Sequence, residues 1–158
     1  MVSTTRHIEA MEKINALINV RERTIKETRE RLVKYGFNEE EIEDAVETAL
    51  RVGLINEERF TRMYINGKTH SGWGKRKIIA RLHAAGISPE TIELCSDEFA
   101  SKEEEYQSAM RELSKRSSRS SNPYASYMRR LVGKGYSQDI ASRAVKDYLA
   151  QQTDQFPS

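Results

Sequence analysis

Two stretches of this chain set cations beside aromatic rings with almost no acid among them. Lys68, Lys75, Arg76, Lys77 and Arg81 surround Trp73, and no Asp or Glu occurs from Lys68 to Pro89. Lys115, Arg116, Arg119, Arg129 and Arg130 surround Tyr124 and Tyr127. Between Arg111 and Lys134 the single Glu112 opposes seven Lys/Arg. Cations neutralise phosphates and aromatic faces stack on bases, so the pattern suits a nucleic acid. An acidic protein groove would be matched equally well. These cations, together with Trp73, form the candidate partner-binding set. Trp73 lies between Gly72 and Gly74 and is read either as exposed at a bend or as a hydrophobic plug between units.

Other reactive side chains are scattered. His7, His70 and His83 do not stand at metal-ligand spacing to one another or to Cys95. No phosphate-binding glycine loop, nucleophile elbow or His-Glu-x-x-His is present. Cys95 falls on an apolar helical stripe and reads as a small core residue. The expectation is a protein that binds, without catalytic residues, metal or cofactor.

The elements that carry these residues repeat. Arg31-Leu32-x-x-x-Gly36-Phe37-Asn38 returns as Arg81-Leu82-x-x-x-Gly86-Ile87-Ser88 and as Arg130-Leu131-x-x-x-Gly135-Tyr136-Ser137, at spacings of 50 and 49 residues. A period of this size predicts an all-α fold, an elongated array of three tandem three-helix repeats. The repeats are placed at 7–55, 56–100 and 101–150, with flexible ends at 1–6 and 151–158.

Within a repeat, helix B ends at the glycine, where a left-handed residue is wanted. Helix C then opens on a cap: Asn38 with Glu41 as capping-box partner, Ser88 followed by Pro89, and Ser137. Thr24 with Glu27, and Asn122 with Pro123, mark the starts of two B helices. Ile42, Ala45, Val46 and Ala49 form the first helix C stripe, repeated as Ile92, Cys95, Ser96 and Phe99 and as Ala141, Ala144, Val145 and Tyr148. Met11, Ile14, Leu17 and Ile18 carry the first helix A. Phe60, Met63, Tyr64 and Gly67 align with Tyr106, Ala109, Met110 and Leu113 at a spacing of 46. That predicts an A–B connection three residues longer in the third repeat, within Lys115 to Ser121.

Charge is segregated along the array. Residues 1–58 hold 13 acidic and 9 basic side chains, and residues 59–158 hold 11 and 17. Glu39 to Glu47 carries six acids, so the first helix C would repel phosphate and is a poor DNA-recognition helix. No apolar run approaches the ~20 residues that span a bilayer, and no signal peptide is visible. A single cysteine suits a reducing, cytoplasmic setting. A monomer is expected.

The residues Gly53-Leu54-Ile55-Asn56-Glu57-Glu58-Arg59-Phe60-x-x-x-Tyr64-Ile65, then Gly72-Trp73-Gly74-x-x-Lys77-Ile78-x-x-x-Leu82-x-x-x-Gly86-Ile87, resemble the RecX regulatory proteins. Arg21-x-Arg23-Thr24 resembles that family's entry into its first helix B. The likeness covers roughly residues 10–150. Where the family often has aspartate and arginine, this chain has Asn56 and Lys68, and Lys68 lacks the bidentate fork. The resemblance implies a negative regulator of the RecA recombinase that lodges in the groove of the RecA–single-stranded-DNA filament. It would inhibit filament extension, ATP hydrolysis and strand exchange. The alternative reading is a helical module that binds single- or double-stranded DNA directly.

Overall fold

The computed structural model describes residues 1–155. Among these, nine α-helices occur in chain order: α1 (Thr4–Val20), α2 (Ile25–Lys34), α3 (Glu39–Arg51), α4 (Glu57–His70), α5 (Lys75–Ala84), α6 (Pro89–Leu94), α7 (Lys102–Ser114), α8 (Pro123–Lys134) and α9 (Gln138–Gln155). A single 3₁₀ turn, Ser96–Glu98, follows α6. The order repeats every three helices, as the 50-residue period predicts.

Each repeat turns from its second to its third helix in the same way. Gly36, Gly86 and Gly135 sit at φ of 90°, 90° and 102°, where a Cβ would be strained. The apolar residue that follows each one sends its N–H back to the helix. Phe37 bonds to Leu32 O, Ile87 to Leu82 O and Tyr136 to Leu131 O, at 3.2, 3.0 and 3.1 Å. This six-to-one bond satisfies a carbonyl that a helix end leaves orphaned. Phe37, Ile87 and Tyr136 are all buried, so the turn also plugs the core.

The caps follow the sequence closely. Asn38 accepts from Glu41 N–H while Glu41 accepts from Asn38 N–H, completing the capping box of α3. Ser88 and Asn122 cap α6 and α8 ahead of Pro89 and Pro123. Thr24 caps α2, but Glu27 does not return the bond. Its carboxylate is drawn to Arg21 and Arg23, whose charges outbid a neutral N–H. Ser101 and Glu104 form a second full capping box on α7.

The first helices of the repeats correct one alignment. Burial pairs Ala10, Thr61 and Ala109, and four residues on Ile14, Ile65 and Leu113. The second and third repeats are thus offset by 48 residues in this helix, not 46. Met63, matched by type to the buried Ala109, is 59% exposed. Side-chain type misled because Thr61, with its hydroxyl bonded to Glu57 O at 2.7 Å, serves as the small core residue instead. The helices leave 71–74 between α4 and α5 and 115–122 between α7 and α8. The third connection is therefore four residues longer, in the loop where extra length is expected. Helix α6 is also shorter than the repeat predicts: it ends at Leu94, Cys95 caps it, and Ser96 is exposed.

The ends are helical over much of the span read as flexible. Ser3 caps α1 at Thr4, and Arg6 pairs with Glu41 at 2.8 Å, fastening α1 to α3. At the other end α9 continues to Gln155. Residues 156–158 lie outside the described residues.

The chain forms two compact units. One comprises residues 1–63 and 82–95, the other 64–81 and 96–158. The first has a core of Ala10, Ile14, Leu32, Phe37, Ile42, Ala45, Val46, Ala49 and Ile55. The second has one of Tyr106, Ala109, Leu113, Tyr127, Leu131, Tyr136, Ala141, Ala144 and Val145. Both are seams of apolar stripes from three successive helices, which is how a repeat buries what one helix cannot. The boundary falls within α4 and α5, so both basic stretches up to Arg81 and from Lys115 onward belong to the second unit.

Candidate partner interface

The Gly72-Trp73-Gly74 bend is fastened to α8 backbone to backbone. Gly74 N–H donates to Lys134 O at 2.8 Å, and Arg76 N–H to Gly135 O at 3.1 Å. The two strands of chain come so close that a Cβ on Gly74 would lie 2.3 Å from the Gly135 carbonyl carbon. A Cβ on Gly135 would lie 2.5 Å from Lys77 Cβ. Tyr136 Oη donates to Gly72 O at 2.7 Å and meets Ser108 Oγ at 2.8 Å. Burial holds the Tyr136 phenol above its usual pKa. Glu112, only 6% exposed, sits where a Gly72 side chain would be and pairs with Lys115 at 2.6 Å and Lys134 at 3.6 Å. Lys75 N–H donates to Glu105 Oε2 at 3.1 Å, which caps the start of α5. The glycines therefore do more than break the helix. They admit a close approach that sets the direction of α5.

That bend displays cations. Lys68 Nζ and Lys77 Nζ lie 4.6 and 4.1 Å from the Trp73 ring centroid, and Arg81 Cζ lies 5.8 Å away. Lys68 also approaches the Tyr64 ring at 5.5 Å, and Lys75 the Phe99 ring at 5.0 Å. Trp73 is half-buried and lines a narrow crevice with Thr69, Ile78 and Phe99. Its ring is a platform for lysines, each such contact contributing ~0.5–1 kcal/mol at an exposed site. A base stacking on this ring would first have to displace a lysine. Tyr64 has its pKa raised by burial.

In the 115–122 loop the candidate residues separate. Lys115 is held by Glu112, so its charge is already countered. Arg130 Nη1 donates to Arg116 O at 2.6 Å and its guanidinium stands 5.0 Å from the Tyr127 centroid. Arg116, Arg119 and Arg130 line one cup with Ser117, Ser118, Ser120 and Ser126. Arg129 is exposed on α8 and does not line it. Tyr127 is no stacking platform: it is 2% exposed, accepts from Ser118 N–H at 2.9 Å and meets Tyr148 edge-on at 5.4 Å. Tyr124 is the exposed ring of the pair.

Elsewhere several charges are spent internally. Arg6 binds Glu9 and Glu41, Arg29 binds Glu43, Arg59 binds Glu22, and His7 Nδ1 meets Asp44 at 2.5 Å. Cys95 is buried, its Sγ 3.8 Å from Glu58 O. Among the described residues no group of three His, Cys, Asp or Glu could hold a metal ion, and no helix is long and apolar enough to cross a membrane. The sequence patterns pointed to both basic stretches. They did not indicate Glu112, Glu105 or Tyr136, which gain their roles only by packing beneath the bend.

Fold and surface together define an all-helical protein of tandem three-helix repeats whose cations on a hydrogen-bonded bend, and on the loop at 116–119, have no ion-pair partner among the described residues. The chain belongs to the RecX family of regulatory proteins. Residues 10–48 match the family model for RecX, first three-helix domain, and residues 56–94 match that for RecX, second three-helix domain. Regulatory protein RecX of Amycolatopsis mediterranei is 30% identical over 152 residues, covering 92% of this chain and 86% of that one. Its counterpart from Mycobacterium avium is 28% identical over 145 residues, 87% and 83% of the two chains. The crystal structure of RecX from Lactobacillus salivarius aligns with a TM-score of 0.74 across 94% of this chain and 99% of that one. At 18% identity this likeness speaks for the fold.

Proposed function

We propose that this chain is a negative regulator of the RecA recombinase that acts by binding and not by catalysis. It lodges in the groove of the RecA–single-stranded-DNA filament and inhibits filament extension, ATP hydrolysis and strand exchange. The mechanism is mass action: the chain stabilises the filament geometry that it fits and so opposes the others. Repeats at 7–55, 56–100 and 101–150 serve as successive contact units of a cytoplasmic monomer.

The observation that carries this reading is the bend at Trp73. Lys68, Lys75, Arg76, Lys77 and Arg81 meet no carboxylate within ion-pair distance among the described residues, and four of them stand against aromatic rings instead. Five like charges held on a fastened turn raise a local positive potential, which an acidic groove or phosphate backbone relieves. RecA-dependent ATP hydrolysis on single-stranded DNA, measured against increasing protein, tests it. Inhibition is expected near stoichiometric ratios. The Lys75→Glu, Arg76→Glu double variant, whose side chains are exposed, should need about tenfold more protein or worse. Undiminished hydrolysis with the parent chain would end this reading.

A direct nucleic-acid-binding module is the second reading, favoured by the arginine-lined loop. It predicts binding to a bare labelled strand with a steep salt dependence. A flat salt response argues against it.

A further inference from the structure

The geometry points to a phosphate-binding cup in the third repeat, formed by the 115–122 loop and the first turns of α8. The cup gathers three guanidiniums, from Arg116, Arg119 and Arg130, with the hydroxyls of Ser117, Ser118, Ser120 and Ser126. None of the three arginines has a carboxylate within ion-pair distance among the described residues. Three like charges around one concavity repel, and an anion at the centre converts that repulsion into attraction. Guanidinium forks and serine hydroxyls are all hydrogen-bond donors of the kind that phosphate oxygens accept.

The cup is built and not a chance of rotamers. Ser118 N–H is tied to Tyr127 Oη at 2.9 Å, and the buried Tyr127 belongs to the core. Ser120 N–H donates to Ser118 Oγ and Asn122 N–H to Ser120 Oγ, both at 3.1 Å, which winds the loop. Arg130 is aimed by its bond to Arg116 O and by the Tyr127 ring. The cup also sits at the N-terminal end of the 12-residue α8, where the helix dipole favours negative charge. The equivalent connection in the second repeat, residues 71–74, is too short to form it.

The ligand is a phosphate group, either a link of a polynucleotide strand or a free phosphate. The test needs no recombinase, so its failure would leave the regulatory reading standing. A labelled single-stranded oligonucleotide is titrated with the full-length parent chain and with the Arg116→Gln, Arg119→Gln double variant, at several salt concentrations. Inorganic phosphate is then added at constant ionic strength. Neither substitution touches the Arg116 carbonyl or the Tyr127 anchor, and unchanged helicity by circular dichroism confirms that the variant folds. The proposal expects the variant to lose affinity about tenfold at ~50 mM salt and its salt slope to fall by ~0.7, the value for one phosphate on a single strand. Competition by inorganic phosphate against the parent, absent in the variant, identifies a site that takes the free ion. Loss of strand affinity without such competition identifies a site for a backbone phosphate. Equal strand affinity and salt slope in parent and variant, with no phosphate competition in either, overturns the cup.

Discussion

Replacing Gly74 by alanine should loosen the bend that carries Trp73. The added Cβ would stand 2.3 Å from Gly135 C, 2.4 Å from Gly135 O and 2.4 Å from Tyr136 N. Ordinary contact begins at ~3.5 Å, so the two backbones must part by about 1 Å. Gly135 cannot yield alone, because its own face is pressed against Lys77. The hydrogen bonds Gly74 N–H to Lys134 O and Arg76 N–H to Gly135 O are then lost or stretched. Two such bonds contribute ~1 kcal/mol each, and overpacking adds ~1–3 kcal/mol, so the variant should lose about 3–5 kcal/mol. For a chain of this length that lowers Tm by roughly 6–20 °C. Thermal unfolding by circular dichroism measures it, with Gly133→Ala as the control. Gly133 lies within α8 with nothing in reach of a Cβ, so alanine there should stabilise by ~0.5–1 kcal/mol. If Gly74→Ala matches the parent, or if Gly133→Ala is as damaging, the close backbone approach is not what holds the bend.

Three further outcomes are expected. Tyr136→Phe removes the hydroxyl that bridges Gly72 O and Ser108, leaving buried partners unsatisfied; it should cost about 1–3 kcal/mol in denaturant unfolding with the helical content unchanged. Hydrogen bonding to Arg6, then to Asn38 N–H, holds the Glu41 carboxyl below the usual range, and the Ser101 N–H and hydroxyl do the same for Glu104. Depressed carboxyl pKa values stabilise the fold above the unfolded value of ~4.3 and lose that contribution as pH falls through the folded values. The Tm should therefore drop on acidification below about pH 5, and Glu41→Gln should flatten the drop. Glu57 behaves oppositely: burial raises its pKa although Ile25 N–H donates to it, and its Oε2 is buried without a partner. Its charge weakens the fold at neutral pH, so Glu57→Gln, which keeps an acceptor for Ile25, should match the parent or gain up to ~1 kcal/mol at pH 7. A clear loss of stability in that variant would contradict the burial argument.

Much of the molecule was legible because its signals are local. A left-handed turn residue followed by an apolar plug and a cap is a short-range arrangement, and Gly36, Gly86 and Gly135 announce it three times over. Asn38 with Glu41, and Ser88 with Pro89, likewise act within one turn of helix. Helix A was read less well because its position was inferred from side-chain type. Met63 resembles a core residue, yet Thr61 occupies the core by satisfying its own hydroxyl within the helix. The Thr24 box is incomplete because Arg21 and Arg23, six and four residues before Glu27, compete for its carboxylate.

The sequence by itself determined the repeat, its turns and caps, and the two acid-poor stretches, since periodicity, φ preference and net charge belong to residues and their neighbours. Only the tertiary structure decided which of those charges remain available. Lys115 is countered by Glu112 at three residues' distance on a buried face, while Arg116, Arg119 and Arg130 converge without an acid. Packing also made Tyr127 a core anchor and turned Trp73 into a seat for lysines. Composition counts charges, but pairing depends on distances between side chains, and those are set only by how the helices and loops pack.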